Sequence, residues 1–111
     1  MNILKFEGSK ATLVGATIQR RLIRTNNLMT VIVDFSGGPM SEPDPYHSHP
    51  HEQTCYIAYG EVLFLEEGEE PVRLKAGDLF AVASGKKHAI QLLTPTARLI
   101  DSFNPIREDF L

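Results

Sequence analysis

Short β-type runs recur along this chain, each cut off by glycine or proline, and that rhythm restricts the fold more than any other feature. Leu28–Phe35 is rich in β-branched residues and stops at Ser36-Gly37-Gly38-Pro39, a combination that breaks regular structure. Cys55–Ala58 runs through Tyr59-Gly60-Glu61 directly into Val62–Leu65, which is hairpin spacing. Pro71–Leu74 and Leu79–Val82 are divided by Lys75-Ala76-Gly77-Asp78, and Ser84-Gly85 closes the second. His88–Leu93 and Arg98–Phe103 flank Thr94-Pro95-Thr96, and Thr17–Ile23 opens the series. The chain holds seven prolines and eight glycines in 111 residues, and no window sustains a helical period over several turns. The first dozen residues come nearest, and Gly8 weakens them. The expectation is an all-β sandwich or barrel in one domain, residues 1–111.

Charge and cysteine content exclude several classes of function. The formal net charge is −3, and the only short basic runs are Arg20-Arg21 and Lys86-Lys87. Nucleic-acid binding needs clustered cations, so no nucleic-acid partner is expected. Cys55 is the one cysteine, which rules out an intrachain disulfide and fits a reducing compartment. No apolar run reaches the roughly 20 residues of a membrane span, and the N-terminus lacks a signal-peptide pattern. A soluble, cytoplasmic protein with no membrane partner is the expectation.

Chemistry concentrates in His47-Ser48-His49-Pro50-His51-Glu52-Gln53. Residues two apart on an extended strand face the same side, so His47 and His49 project together and Gln53 shares their parity. Neutral imidazoles suit zinc, iron, nickel or copper, and an amide carbonyl is compatible with most of these. His51 has the same parity, but Pro50 interrupts strand pairing, which leaves it as an outer neighbour and not a ligand. The remaining histidine, His88, stands at the start of a strand after Gly85-Lys86-Lys87 and completes a set His47, His49, Gln53, His88. The plainer alternative is accidental affinity of a histidine-rich run. Cys55 reads as a small apolar filler, and Tyr46, Tyr56 and Tyr59 as strand residues. Leu63, Phe64, Leu79, Phe80, Leu92 and Leu93 read as core or interface, whereas Arg20 and Glu52 read as exposed.

With these residues the chain resembles the cupin superfamily. Gly38, His47-Ser48-His49, Gln53 and Gly60 follow the spacing of its first motif, and Gly77, Gly85 and His88 that of its second. Three positions depart from the pattern: Gln53 for the usual Glu, Ala83 for Pro, and Leu92 for Asn. The first matters chemically, because four neutral ligands leave the ion's charge uncompensated and favour an anionic partner. The resemblance implies a double-stranded β-helix (jelly-roll) barrel holding one divalent metal ion: zinc, nickel, iron or manganese.

The run His47–Gln53, Arg20-Arg21, Leu28-Met29 and the tail Asp101–Leu111 look like the small pectin-degradation cupins. Members of that group linearise 4,5-unsaturated uronates to open-chain 4-deoxy-5-keto uronates. The resemblance implies that Asp101, Phe103 and Arg107 line the pocket, with Asp101 and Arg107 catalytic and Phe103 and Arg107 binding substrate. Read from the residues alone, Asp101 and Phe103 share strand parity, and a carboxylate, an aromatic and a guanidinium at one pocket edge suit a sugar acid. The alternative is a surface ion pair beside a core phenylalanine. The leading expectation is therefore a metal-dependent enzyme acting on a small anionic sugar acid. A cupin-type dioxygenase and a non-catalytic small-acid binding protein are the rivals. A homodimer is expected, with Leu28-Met29 and Phe110-Leu111 as candidate contacts.

Overall fold

A computed structural model describes all 111 residues. Nine strands form: β1 (Thr12–Val14), β2 (Ile18–Arg24), β3 (Met29–Phe35), β4 (Glu52–Tyr59), β5 (Glu61–Glu66), β6 (Val72–Lys75), β7 (Leu79–Val82), β8 (His88–Leu92) and β9 (Ala97–Asn104). One short 3-10 helix, Glu108–Phe110, follows. The strands pair antiparallel in a six-stranded sheet, β1-β2-β3-β9-β4-β7, and a three-stranded sheet, β6-β5-β8. This is the all-β jelly-roll expected from the sequence. No helix forms at the N-terminus, because Gly8 (φ 78°) turns the chain there. The stretch leads instead into β1, with Phe6 held beneath the guanidinium groups of Arg21 (4.2 Å) and Arg98 (4.5 Å).

Alternation within the strands decides what faces inward. In β4, Gln53, Cys55 and Ile57 are buried while Glu52, Thr54 and Tyr56 are exposed. In β3, Met29, Val31 and Val33 point into the core. The buried residues form two groups. One joins both sheets through Cys55, Ile57, Val62, Leu92, Ala97 and Leu99. The other gathers Met29, Val31, Val33, Phe103 and Ile106 on the large sheet and the tail. Phe35 packs against both. Leu79 is 67% exposed and lies outside the core, whereas Phe64 and Phe80 stack with ring centroids 4.1 Å apart.

The chain passes from the large sheet to the small one at Gly60, between β4 and β5. Its φ is +82°, and a Cβ there would lie 2.5 Å from both the Thr96 carbonyl oxygen and Ala97 Cβ. Only glycine fits that crossing. Gly38 meets a similar limit from close approach alone, since a Cβ would stand 2.2 Å from the Thr94 carbonyl oxygen. Two glycines of the sequence motif thus mark where backbone runs against backbone.

A candidate metal centre beside an arginine-lined cavity

Four prolines (Pro39, Pro43, Pro45 and Pro50) keep the segment before β4 from becoming a strand. It still runs along the edge of β8, donating backbone hydrogen bonds from Met40 to Leu92 (2.8 Å) and from Asp44 to Ile90 (3.2 Å). His47 and His88 then exchange both backbone hydrogen bonds, 3.0 and 2.9 Å. Gly85 N–H donates to the His49 carbonyl at 2.9 Å. These contacts, and not a continuous strand, bring the two motifs together, so the strand expected across His47–His49 is absent. Tyr46 likewise lies outside any strand and is 47% exposed.

The three imidazoles converge. One ring nitrogen from each of His47, His49 and His88 lies within 4.8 Å of the others. His49 Nδ1 lies 2.9 Å from the His51 carbonyl, and His88 Nδ1 2.9 Å from the Lys86 carbonyl. A carbonyl only accepts, so both Nδ1 atoms carry the proton and both Nε2 atoms present a lone pair. Burial, reinforced at His47 by His49 and Arg107, lowers the pKa of His47 and His88 and keeps these rings neutral.

Gln53 is oriented from behind, since its amide Nε2 donates to Asp101 Oδ1 at 3.0 Å. That fixes Oε1 toward His49, 3.1 Å from its Nε2. With Nδ1 of His49 committed to a carbonyl, this short approach sets lone pair against lone pair, and a cation between the two atoms relieves it. The donor set of three neutral imidazoles and one amide oxygen therefore fits a divalent ion of the zinc-to-manganese range. His51 stays outside: it is not among the histidines whose ring nitrogens converge, and its buried Nδ1 has no partner.

His47, Gln53 and His88 form one wall of a cavity of about 280 Å³ that also takes in Asp101, Phe103 and Arg107. This lies just under the ~300–1,000 Å³ usual for small-molecule sites, a size suited to a monosaccharide. Asp101 faces inward from β9, opposite Cys55 on β4 and Val31 on β3. Burial raises its carboxyl pKa, opposed by hydrogen bonds from Cys55 and Gln53. Burial, with Asp101 as neighbour, pushes the Cys55 thiol up as well. Cys55 is thus an inert inward filler, as its parity implies. Phe103 is 2% exposed and meets His49 edge-on at 5.8 Å between ring centroids. It belongs to the core and presents its remaining edge to the cavity.

Arg107 makes two hydrogen bonds to Asp109, 3.3 Å from Nε and 2.8 Å from NH2, and lies 4.3 Å over the Phe110 ring. Arg20, read from sequence as exposed, also lines the cavity. Its guanidinium stacks on Phe110 at 3.9 Å, and NH1 is buried without a hydrogen-bond partner. The available signal was parity with Ile18 and Leu22, which turn inward on β2. It was masked because Arg21, one residue on, reads the same way in composition yet points outward to Asp34 at 3.6 Å.

The Cupin domain model matches residues 31–102, which spans β3 to β9 and every candidate ligand. The chain is a cupin. This cupin is 36% identical over 100 residues to the pectin degradation protein KdgF of Dickeya dadantii (strain 3937), covering 88% of this chain and 87% of that one. Among solved structures, KdgF from a Halomonas species superposes with a TM-score of 0.85 at 32% identity, covering 96% of this cupin and 97% of that chain. An RmlC-like cupin from Shewanella frigidimarina gives 0.85 at 31% identity, over 97% and 94% of the two chains.

Proposed function

We propose that this cupin is a metal-dependent enzyme that linearises 4,5-unsaturated uronates, the monosaccharides left by lyase cleavage of pectin or alginate. The observation that carries the proposal is the neutral donor set of His47, His49, Gln53 and His88 beside a buried Asp101 and an Arg107 in one cavity. Similarity to KdgF along nearly the whole chain supports the same reading. A divalent ion held by the four donors supplies Lewis acidity to substrate oxygens.

The remaining chemistry falls to the protein's own groups. In ring opening the C1–O5 bond breaks, the C1 hydroxyl loses its proton to become the aldehyde, and O5 leaves as an enol oxygen on C5. Addition of a proton at C4 and loss of the enol proton give the C5 ketone, with no net change of oxidation state. Asp101 is the proton carrier for C4. Its burial favours the protonated acid, the form that donates. Asp109 takes the Nε–NH2 edge of Arg107 and orients it, and the remaining N–H groups of Arg107 hold anionic substrate oxygens. Phe103 closes the cavity floor and excludes water.

The proposal takes residues 1–111 as one working unit, cytoplasmic and homodimeric. Of the expected contact residues, Met29 is fully buried and Phe110 is packed between two arginines, which leaves Leu28 and Leu111, 52% and 64% exposed, to serve. The deciding experiment mixes metal-loaded protein with unsaturated galacturonate and unsaturated mannuronate and follows loss of the enol-ether signal by ultraviolet absorbance or proton NMR. Acceleration over the spontaneous rate that vanishes in Asp101→Ala and His49→Ala establishes the enzyme. Absence of acceleration with metal bound removes the assignment, and oxygen uptake with iron or copper then tests the dioxygenase alternative.

A further inference from the structure

Arg20 has no role in the chemistry above, yet its placement is costly. It occupies an inward position of β2, between Ile18 and Leu22, which both pack in the core. Long cations at such positions normally pair with an acid or extend to water. Arg20 makes no salt bridge with any carboxylate of the chain: the acids that pair with arginine are Asp34, Glu61 and Asp109, taken by other residues. Its NH1 is buried and unbonded, and burial and the neighbouring Arg107 oppose its charge more than the nearby Asp109 carboxylate favours it. Phe110 lies against both guanidinium groups, 3.9 Å from Arg20 and 4.3 Å from Arg107.

The geometry points to Arg20 as the anchor for a substrate carboxylate, held where the cavity runs past Arg107, away from the histidines. This inference rests on the uronate reading above and names the residue that selects an acid over a neutral sugar. Register supports the distance. Arg20 pairs with Val33 on β3, while Asp101 pairs with Val31 on the other side of that strand. Arg20 and Asp101 thus share the inward face two strand spacings across and two residues along, about 12 Å between backbones. An arginine side chain reaching inward from that position meets a carboxylate on C5 while Asp101 addresses C4, the adjacent carbon. Arg107 lines the same cavity as His47, His88 and Arg20 and shares the Phe110 ring with Arg20. Asp44 is the other carboxylate on the cavity wall. The unbonded NH1 is left for the ligand.

The test is calorimetric titration of wild type and Arg20→Gln, each metal-free and nickel-loaded. The probes are galacturonate, a saturated uronate that cannot react, glycolate, the smallest hydroxy acid, and galactose as the uncharged counterpart. Wild type should bind galacturonate more tightly than galactose, and Arg20→Gln should weaken galacturonate by about 10- to 100-fold while leaving galactose unchanged. Arg20→Lys, which keeps the charge but loses the fork, should recover only part of the loss. Glycolate bound through Arg20 without galacturonate binding keeps the anchor and removes the uronate reading. Equal galacturonate and glycolate affinity in wild type and Arg20→Gln, or no carboxylate binding by wild type, overturns the anchor. If Arg20→Gln does not fold, the wild-type side-chain Nε–H resonance of Arg20, assigned through Arg20→Lys, decides. It must shift on adding galacturonate, and a fixed resonance at saturation overturns the inference.

Discussion

The two halves of the interior differ in what covers them. Where the three strands of the small sheet lie over the large one, Ile57, Val62, Leu92 and Ala97 meet across the gap and exclude water. The C-terminal tail packs on Met29, Val31 and Val33 through Ile106 and Phe110. The cavity opens beside it, between the large sheet, the first residues of β8, the proline-rich histidine segment and the tail. The same large sheet therefore supplies a dry core at one end and a polar site at the other. At the dry end a side chain is chosen for volume. At the wet end Gln53, Asp101 and Arg20 occupy inward positions that apolar residues would fill more stably, and this is the usual trade of stability for function.

Substitutions at the two ends should therefore separate stability from chemistry. Asp101→Asn, nearly isosteric, is expected to lower uronate opening by about 10²- to 10⁴-fold while leaving the urea midpoint close to wild type. A large fall in stability instead would make Asp101 a structural residue and blur the division. Ile57→Ala, at the fully buried dry end, should cost roughly 2–5 kcal/mol in urea unfolding, with metal affinity per folded molecule unchanged. Loss of metal binding in that variant would mean that the two ends are coupled.

His49→Ala addresses the wet end through linkage. Wild type should gain about 2.7 kcal/mol of stability at a hundredfold excess of metal over its dissociation constant. The variant should gain none, and an unchanged metal-dependent rise in melting temperature would place the ion elsewhere. The smallest effect is expected at Asp109. Arg107 holds its carboxyl below the usual range, so its share of stability is present above the ordinary carboxylate pKa and fades as pH falls through the lowered one. The side chain is 57% exposed, and solvent screening limits Asp109→Asn to under about 1 kcal/mol. The acid limb of the unfolding curve measures it. The larger expected consequence is loosened positioning of Arg107, read as a higher KM.

The strands were legible because alternation and turn residues are local properties. Leu79–Val82 agrees to the residue, and the other expected strands differ by a few residues at their ends, whereas β1, Thr12–Val14, was not expected. The clustering of His47, His49 and His88 was legible for another reason: the histidines are few and lie in two short motifs, so the candidates could be enumerated. Their support was not legible. His47 and His49 converge through backbone bonds to His88 and Gly85, far along the chain, and not through strand parity. The N-terminal stretch resembled a weak helix because its capture by Arg21 and Arg98 is entirely non-local.

By itself the sequence determined an all-β fold, the turn glycines, and the kinds of side chain available for a metal and a sugar acid. Those follow from backbone preference and donor chemistry, which each residue carries wherever it sits. Tertiary structure alone decided that Met29 is buried and Phe110 is packed against two arginines, so that neither is free for a partner, and that Gln53 turns its oxygen toward His49. Each of those depends on which strand lies opposite and how far the second sheet extends. These are long-range facts that no local pattern encodes.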